Sequence, residues 1–597
     1  MKSSKNPALH KHYLIQFVLH LTMPKLNNGI CCTLIIALNF IAVNAFAQKT
    51  SYVQSLNTQN RWVDSVYNKL SRKQRVAQLL FVRAHTNKGK AYEDSVARVI
   101  KDEQVGGLVF FQGGPGRQAL LVNKYQKLAQ VPLLISMDGE WGLGMRLDST
   151  ISYPYQMTLG AIQDNNLIYK MGQQVAYDFK RLGIQINFGP DMDINNNPNN
   201  PVINYRSFGD NMYNVAKKGV AYFKGMQDAG LLTTAKHFPG HGDTNVDSHF
   251  DLPLLPYSRA RLDSLEEYPF REAINAGISG IMIAHMNIPA LDNTKNLPST
   301  LSRPIVTGIL KDSLQFKGLV VSDAMEMKGV TKYFPNGEAD VRAFLAGIDI
   351  IELSENSDRA IKLIRRAVRK GLISADEFQT KVKKVLAAKY WAGLNRRPQV
   401  SPVNLSEDLN RQAAKDLVQQ LSDASVTLLK GNSAALKLNP FLKTAIVSIG
   451  VDAPTVFQQE MAKSFPNCRI FMVAKNAPAI EVRNIMNWLK QYNQVIVGIH
   501  DTRLRPQSKL DYSSDVRGMV SDLAVRKGTI MSVFANAYTI AGLPGIEKSN
   551  ALLVCYQMSP ELQKSAAKVI AGTLKPTGKL PVSVNTSFPT GTGLGLQ

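Results

Sequence analysis

Residues 231–251 read LLTTAKHFPGHGDTNVDSHFD, and the stretch changes character at Lys236. Before that residue, Leu232–Lys236 is an apolar and β-branched run with little polar alternation, the pattern of a strand buried on both faces. After it, Pro239, Gly240 and Gly242 exclude a regular helix, and the chain becomes a polar loop. Seven further short apolar runs occur between residues 65 and 395: Val76–Val82, Gly106–Phe111, Pro132–Met137, Ile184–Phe188, Gly280–Ala284, Gly318–Val321 and Ile348–Leu353. Helical patterns such as Leu167–Leu182, Val215–Ala229 and Leu262–Asn275 lie between them. This alternation predicts an α/β fold, a (β/α)8 TIM-like barrel, with a doubly wound open sheet as the structural competitor.

The polar residues of this region sit where the runs end. Asp138 follows PLLISM, Asp191 and Asp193 follow INFGP, Lys236 and His237 end LLTTAKH, His285 ends IMIAH, and Asp323 follows GLVVS. In a barrel the C-terminal strand ends surround one mouth, so these residues are expected to converge on one site. The loop after Lys236 is the densest part of it, with His237, His241 and His249 beside Asp243, Asp247 and Asp251. Three readings compete for it. Histidine and aspartate can bind zinc, but the spacing matches no familiar zinc motif and lacks helical i, i+4 presentation, so no metal or other cofactor is expected. The side chains can instead satisfy loop amides as a structural network. Or the loop carries acid–base chemistry: Asp247 and His249 are two residues apart, and a bend would let the carboxylate orient the imidazole for proton transfer.

Past residue 395 a Pro- and Ser-containing stretch reads as a linker, and a second strand–helix alternation follows. Its runs are Thr444–Ile449, Ile470–Val473, Gln494–Ile499, Thr529–Phe534 and Ala551–Tyr556, separated by helical patterns such as Pro478–Tyr492 and Pro560–Leu574. The expected organisation is an export segment over 1–47, the barrel over 48–395, a linker over 396–415 and a smaller α/β sandwich over 416–597.

Composition suits an ordinary globular chain: 45% of the 597 residues are hydrophobic and 19% charged. The formal net charge of +24 would favour anionic polymers, yet no dense Lys/Arg block with interleaved aromatics is present, and no nucleic-acid partner is expected. Ile30–Val43 (ICCTLIIALNFIAV) is an apolar run of 14 residues, short for a bilayer span, with Lys25 before it and Ala45-Phe46-Ala47 after it. That is the pattern of a secretory signal peptide, with Met23 as an alternative start and a retained anchor as the alternative reading. The mature chain is then expected to be exported, to a periplasm, without a membrane span. Of the four cysteines, Cys31 and Cys32 fall in this segment, and Cys468 and Cys555 are expected as unlinked thiols.

KHFPGHGDTNVDSH (Lys236–His249) resembles the signature of the bacterial β-N-acetylglucosaminidases of glycoside hydrolase family 3. The resemblance runs from about residue 60 to the end, including SVTLLKG (Ser425–Gly431) and TGKLPVSV (Thr577–Val584) in the second domain. It implies a barrel whose Asp323, in GLVVSDAMEMKGV, attacks the anomeric carbon, and a general acid/base formed by His249 with Asp247. It implies sugar contacts at Asp138 and Arg146 in DGEWGLGMR, at Arg206 in NPVINYRSF, and at Lys236 and His237. Gly139, Trp141 and Gly144 depart from the family's usual residues, so the shape of the sugar site is open; Trp141 can stack on a sugar or simply pack. The activity implied is retaining removal of terminal β-linked N-acetylglucosamine, with cell-wall muropeptides as the expected partners. A phosphorylase, a β-glucosidase and a catalytically silent wall-binding protein are the alternatives. Nothing in the sequence bears on the oligomeric state.

Overall fold

The computed structural model describes residues 50–505 and 510–595. The apolar run at 30–43, the pattern after it and the two cysteines within it lie outside these residues. The first sheet has eight strands: β1 Leu80–Ala84, β2 Gly107–Phe110, β3 Leu134–Met137, β4 Ile186–Asn187, β5 Leu232–Phe238, β6 Gly280–Ile283, β7 Leu319–Ser322 and β8 Ile351–Glu352. Every neighbouring pair is parallel, in the order β7-β6-β5-β4-β3-β2-β1-β8. The ends of that order meet. Val321 bridges Ile350, the Ser322 N–H donates to Ile350 O at 2.9 Å, and the Ile350 N–H donates to Val320 O at 3.0 Å. The sheet closes into the expected barrel, and the open-sheet competitor is set aside.

Each expected run contains a strand, with shifted limits. Val76–Ala77 belong to a helix, Arg72–Ala77, and the first strand begins at Leu80. The cause is a capping box: the Ser71 hydroxyl accepts the Gln74 N–H while the Gln74 side chain accepts the Ser71 N–H, which starts a helix where the hydrophobicity alone reads as strand. β8 stops after Glu352 because Leu353 turns to φ 50°. The expected helix at Leu262–Asn275 is divided into a wide-turn segment, Leu262–Glu266, and an α-helix from Tyr268 with Pro269 in its first turn.

The second sheet contains β9 Thr427–Lys430, β10 Thr444–Ile449, β11 Cys468–Val473, β12 Gln494–His500, β13 Thr529–Phe534 and β14 Ala551–Val554, in the order β11-β10-β12-β13-β14-β9. β9 alone is antiparallel, pairing with β14; its residues read in the sequence only as an entrance to the second domain. Loops from the C-terminal ends of this sheet meet loops of the barrel. Asn195 Nδ2 donates to Tyr538 Oη at 2.9 Å, Asn536 Nδ2 to Asn204 Oδ1 at 2.7 Å, and Gln557 Oε1 accepts from the Tyr155 N–H at 2.9 Å. The stretch expected as a linker, 396–415, lies along the barrel as a strap: Arg181 reaches Asp408 at 2.8 Å and the Ser401 and Val403 carbonyls at 2.6 Å each. It also includes a short helix, Leu405–Leu409. Cys468 and Cys555 are unlinked thiols. Among the described residues, no helix is long and apolar enough to cross a membrane.

Candidate active site

A cavity of about 450 Å³ opens among the C-terminal strand ends of the barrel. Asp138, Arg146, Arg206, Lys236, His237, His249 and Asp323 all line it, and Asp247 stands behind His249. Residues spread over nearly two hundred sequence positions thus share one space, because closing the sheet brings its strand ends to one mouth.

One wall is an ion-pair lattice. Lys236, buried at the end of β5, donates to Asp138 Oδ1 at 2.7 Å and lies 2.9 Å from Glu140 Oε1. Arg146 completes Asp138 at 2.7 Å, and Arg206 grips Glu140 through Nη2 at 2.7 Å and Nε at 3.0 Å. Burial would raise both carboxyls, but the cations outweigh it and hold Asp138 and Glu140 below the usual carboxylate range. These groups are ionised, rigid and aimed at the cavity, which suits recognition of hydroxyl groups.

Beside this lattice, Asp193 organises the start of the polar loop. Its Oδ2 lies 2.7 Å from His237 Nδ1, and its Oδ1 accepts the His241 N–H at 2.7 Å. Asp191 is buried too; burial first, and then the charge of Asp193, raise its carboxyl well above the ordinary value. Asp191, Asp193 and His237 offer donor atoms within 4.8 Å of one another, the one such cluster among the described residues. His237 Nδ1 and Asp193 are already engaged with each other, and Arg206 lies 3.8 Å from Asp191, so the cluster is cross-linked internally.

The loop then crosses to the opposite wall. Asp247 Oδ1 accepts the His249 backbone N–H at 2.9 Å and sits 2.7 Å from its Nδ1. The carboxylate therefore fixes the ring from one side and leaves Nε2 for exchange with a ligand. The two other acids of the loop are spent on its scaffold: Asp243 accepts from Tyr257 Oη at 2.7 Å, and Asp251 pairs with Lys332 at 2.8 Å. Ser248 and Asp251 lean directly on the segment after Asp323. A Cβ added to Gly329 would come within 2.9 Å of Ser248 O and 3.0 Å of Asp251 O, so only glycine allows this approach. The loop bearing His249 and the turn bearing Asp323 are in this way packed as one piece.

Asp323 follows β7, and its Oδ1 accepts the Ala324 N–H at 2.7 Å. Burial works against its charge, but His285, His237, the Ala324 N–H and His249 together keep its carboxyl below the ordinary value. His285, to which the sequence assigned no role, lies under this turn: its Nε2 is 3.1 Å from Ala324 O and its Nδ1 2.7 Å from Thr300 Oγ1. Its position at the end of IMIAH was the available signal. Trp141 lines the cavity but also packs edge-on against Tyr155, with ring centroids 4.8 Å apart. Arg505, from the second sheet's side, caps this aromatic group 5.1 Å from the Tyr205 ring centre and donates to Val202 O at 3.0 Å. Arg503, two residues before it, turns back to Asp501 at 2.6 Å.

The sequence profile of the glycosyl hydrolase family 3 N terminal domain matches residues 71–388, from the helix before β1 to the long helix after β8. The chain belongs to glycosyl hydrolase family 3. A family 3 β-N-acetylglucosaminidase from Paenibacillus sp. str. FPU-7 has a similar structure, with a TM-score of 0.73 and 32% identity, over 86% of this chain and 99% of that one. A protein named beta-hexosaminidase A from Pseudoalteromonas piscicida is 36% identical over 278 residues, which is 43% of this chain and 46% of that relative, so the chain spans about half of its length. A protein from Cellulomonas fimi named beta-N-acetylglucosaminidase/beta-glucosidase is 27% identical over 63% of this chain and 68% of its own. The structural likeness to the Paenibacillus enzyme extends over both the barrel and the second sheet, since it covers 86% of this chain.

Proposed function

We propose that the protein removes terminal β-linked N-acetylglucosamine with retention of configuration. The observation that carries the reading is an ionised carboxylate, Asp323, sharing one cavity with a histidine whose ring is fixed by Asp247. In the first step an Asp323 oxygen bonds to the anomeric carbon as the glycosidic bond breaks. His249, as imidazolium, gives its Nε2 proton to the departing oxygen. In the second step neutral His249 takes a proton from water, the water oxygen bonds to the anomeric carbon, and the Asp323 carboxylate leaves. Asp138, Arg146, Arg206, Lys236 and His237 hold the sugar through charge-assisted hydrogen bonds. All the chemistry runs on the chain's own side chains.

The names of the Pseudoalteromonas and Paenibacillus relatives support N-acetylglucosamine as the sugar. We further propose export, to a periplasm, guided by the segment at 1–47, and cell-wall muropeptides as the substrates met there. Rates on a chromogenic β-N-acetylglucosaminide and on the matching β-glucoside, with and without phosphate, test the reading. Strong preference for the former without dependence on phosphate is expected. Preference for the glucoside, which the Cellulomonas relative's double name keeps in view, would replace the sugar. Phosphate dependence would replace the reaction.

A further inference from the structure

One acid at the cavity has no part in the chemistry above. Glu352 ends β8, in the run IDIIEL, and is 3% exposed; the other acid of the run, Asp349, is paired with Lys384. It lines the cavity, yet its Oε2 is buried without a hydrogen-bond partner among the described residues. The neighbouring cations are committed elsewhere: Lys236 to Asp138 and Glu140, and Arg83 to Glu326. A buried carboxyl left unpaired in a native site calls for an explanation, and a ligand oxygen supplies one.

The backbone around Glu352 is pinned to the turn of Asp323. The Glu352 N–H donates to Ser322 Oγ at 2.9 Å, and its carbonyl accepts the Met325 N–H at 2.9 Å. The side chain is therefore rooted beside the proposed nucleophile. Leu353, the next residue, holds φ at 50°, a left-handed conformation that branched aliphatic residues avoid, and it lines the same cavity. Strain of this kind persists where the surrounding structure forces the chain to present a group.

Four charged groups face Glu352: Asp138 after β3, Asp323 after β7, Lys236 on β5 and Arg83 on β1. Burial first, and then the two carboxylates, raise its carboxyl well above the ordinary value against the pull of the cations. The shift favours the protonated form, in which the carboxyl can donate a hydrogen bond. We propose that Glu352 is a further sugar-binding residue of this cavity, donating its carboxyl O–H to an oxygen of the sugar held against Asp323. The inference rests on the proposed function in one respect, that the cavity holds a sugar.

The test is titration calorimetry of free N-acetylglucosamine into the wild type, Glu352→Gln and Glu352→Leu, with melting temperatures alongside. Glutamine keeps a donor and should bind within about threefold of the wild type; leucine should bind about tenfold more weakly or worse while melting no lower, since it removes an unpaired buried acid. Glu352→Ala, read the same way, stands in if the leucine variant does not fold. A series of deoxy analogues then locates the partner: one analogue should lose about tenfold in the wild type and nothing further in Glu352→Leu. Wild-type affinity in the leucine or alanine variant, or additive losses for every analogue, overturns the proposal and leaves the function standing. A wild type that binds no N-acetylglucosamine overturns the reading of the cavity itself.

Discussion

Two strands in this chain end alike and come to opposite fates. β5 runs into Lys236-His237 and then Phe238, and β12 ends at His500 with Asp501 following. Both pair in parallel with their neighbours and are buried along their length. In the barrel, His237 and Lys236 border a cavity and share it with groups on or following the other seven strands. In the second sheet, His500 is sealed: it stacks on Phe534 with centroids 4.8 Å apart, lies 3.2 Å from Ser448 Oγ, and has no partner for Nδ1 among the described residues. Asp501 beside it is occupied by Lys475 at 3.1 Å and Arg503 at 2.6 Å. The difference lies in closure. A closed sheet aims its strand ends at one space, whereas an open sheet spreads them along a line, where each finds its own local partners.

The sharpest way to break this contrast is to remove the proposed nucleophile. Asp323→Asn should lower kcat roughly ten-thousandfold or more, with the fold intact by circular dichroism. His500→Gln, at the equivalent place in the open sheet, should leave kcat unchanged. Full turnover in the first variant, or its loss in the second, would reverse the roles given to the two sheets.

A smaller effect is expected from the lysines. Lys236→Met takes one of two cations from both Asp138 and Glu140 in a buried wall, and should cost about 3–5 kcal/mol of stability with about a hundredfold loss in kcat/KM. Lys475 is a quarter exposed, its partner Asp511 is half exposed, and its buried partner Asp501 keeps Arg503 at 2.6 Å, so Lys475→Met should cost less than about 1 kcal/mol and no activity. Denaturant titration and initial rates measure both. Equal costs would mean that the lattice in the barrel is ordinary surface pairing.

The smallest predicted effect is a pH dependence of stability. Burial depresses the His500 imidazole from 6.5 to about 3. Its folded state resists protonation, so stability is complete above pH 6.5 and drains away as the pH falls towards 3. Asp138 is also depressed, by Lys236 and Arg146 acting against burial, but its contribution is lost only below its ordinary value of 3.8. Between pH 6 and 4 His500 should therefore share the acid loss with His241 and His85 of the barrel, both depressed to about 4 by burial, and His500→Gln should recover about 2 kcal/mol of it. Melting curves across that range check the order; no recovery would show that His500 is solvated on a timescale that matters.

Much of the site could be read before any coordinates. Asp138, Lys236, His237 and Asp323 each end or follow an apolar run, and Asp247 and His249 sit in a loop that glycine and proline keep from being helical. Glu352 could not be read in this way, because its run also holds Asp349, and nothing local tells the acid that faces the cavity from the one paired with Lys384. Glu140 was visible only as a letter in DGEWGLGMR, its grip on Arg206 and Lys236 depending on two other loops. Arg505 was hidden because it reaches the barrel from a loop after β12 of a separate sheet.

The sequence by itself determined the alternation of strands and helices, the placement of polar residues after buried runs, and the short-range pair of Asp247 with His249, since each depends on neighbours a few positions away. Tertiary structure alone decided that eight strand ends face one cavity while the second sheet's do not, that Gly329 seats the His249 loop on the turn of Asp323, and that Glu352 is left unpaired beside it. Those outcomes depend on closure and on which charges have already found partners, and contacts between residues far apart in the chain leave no local mark.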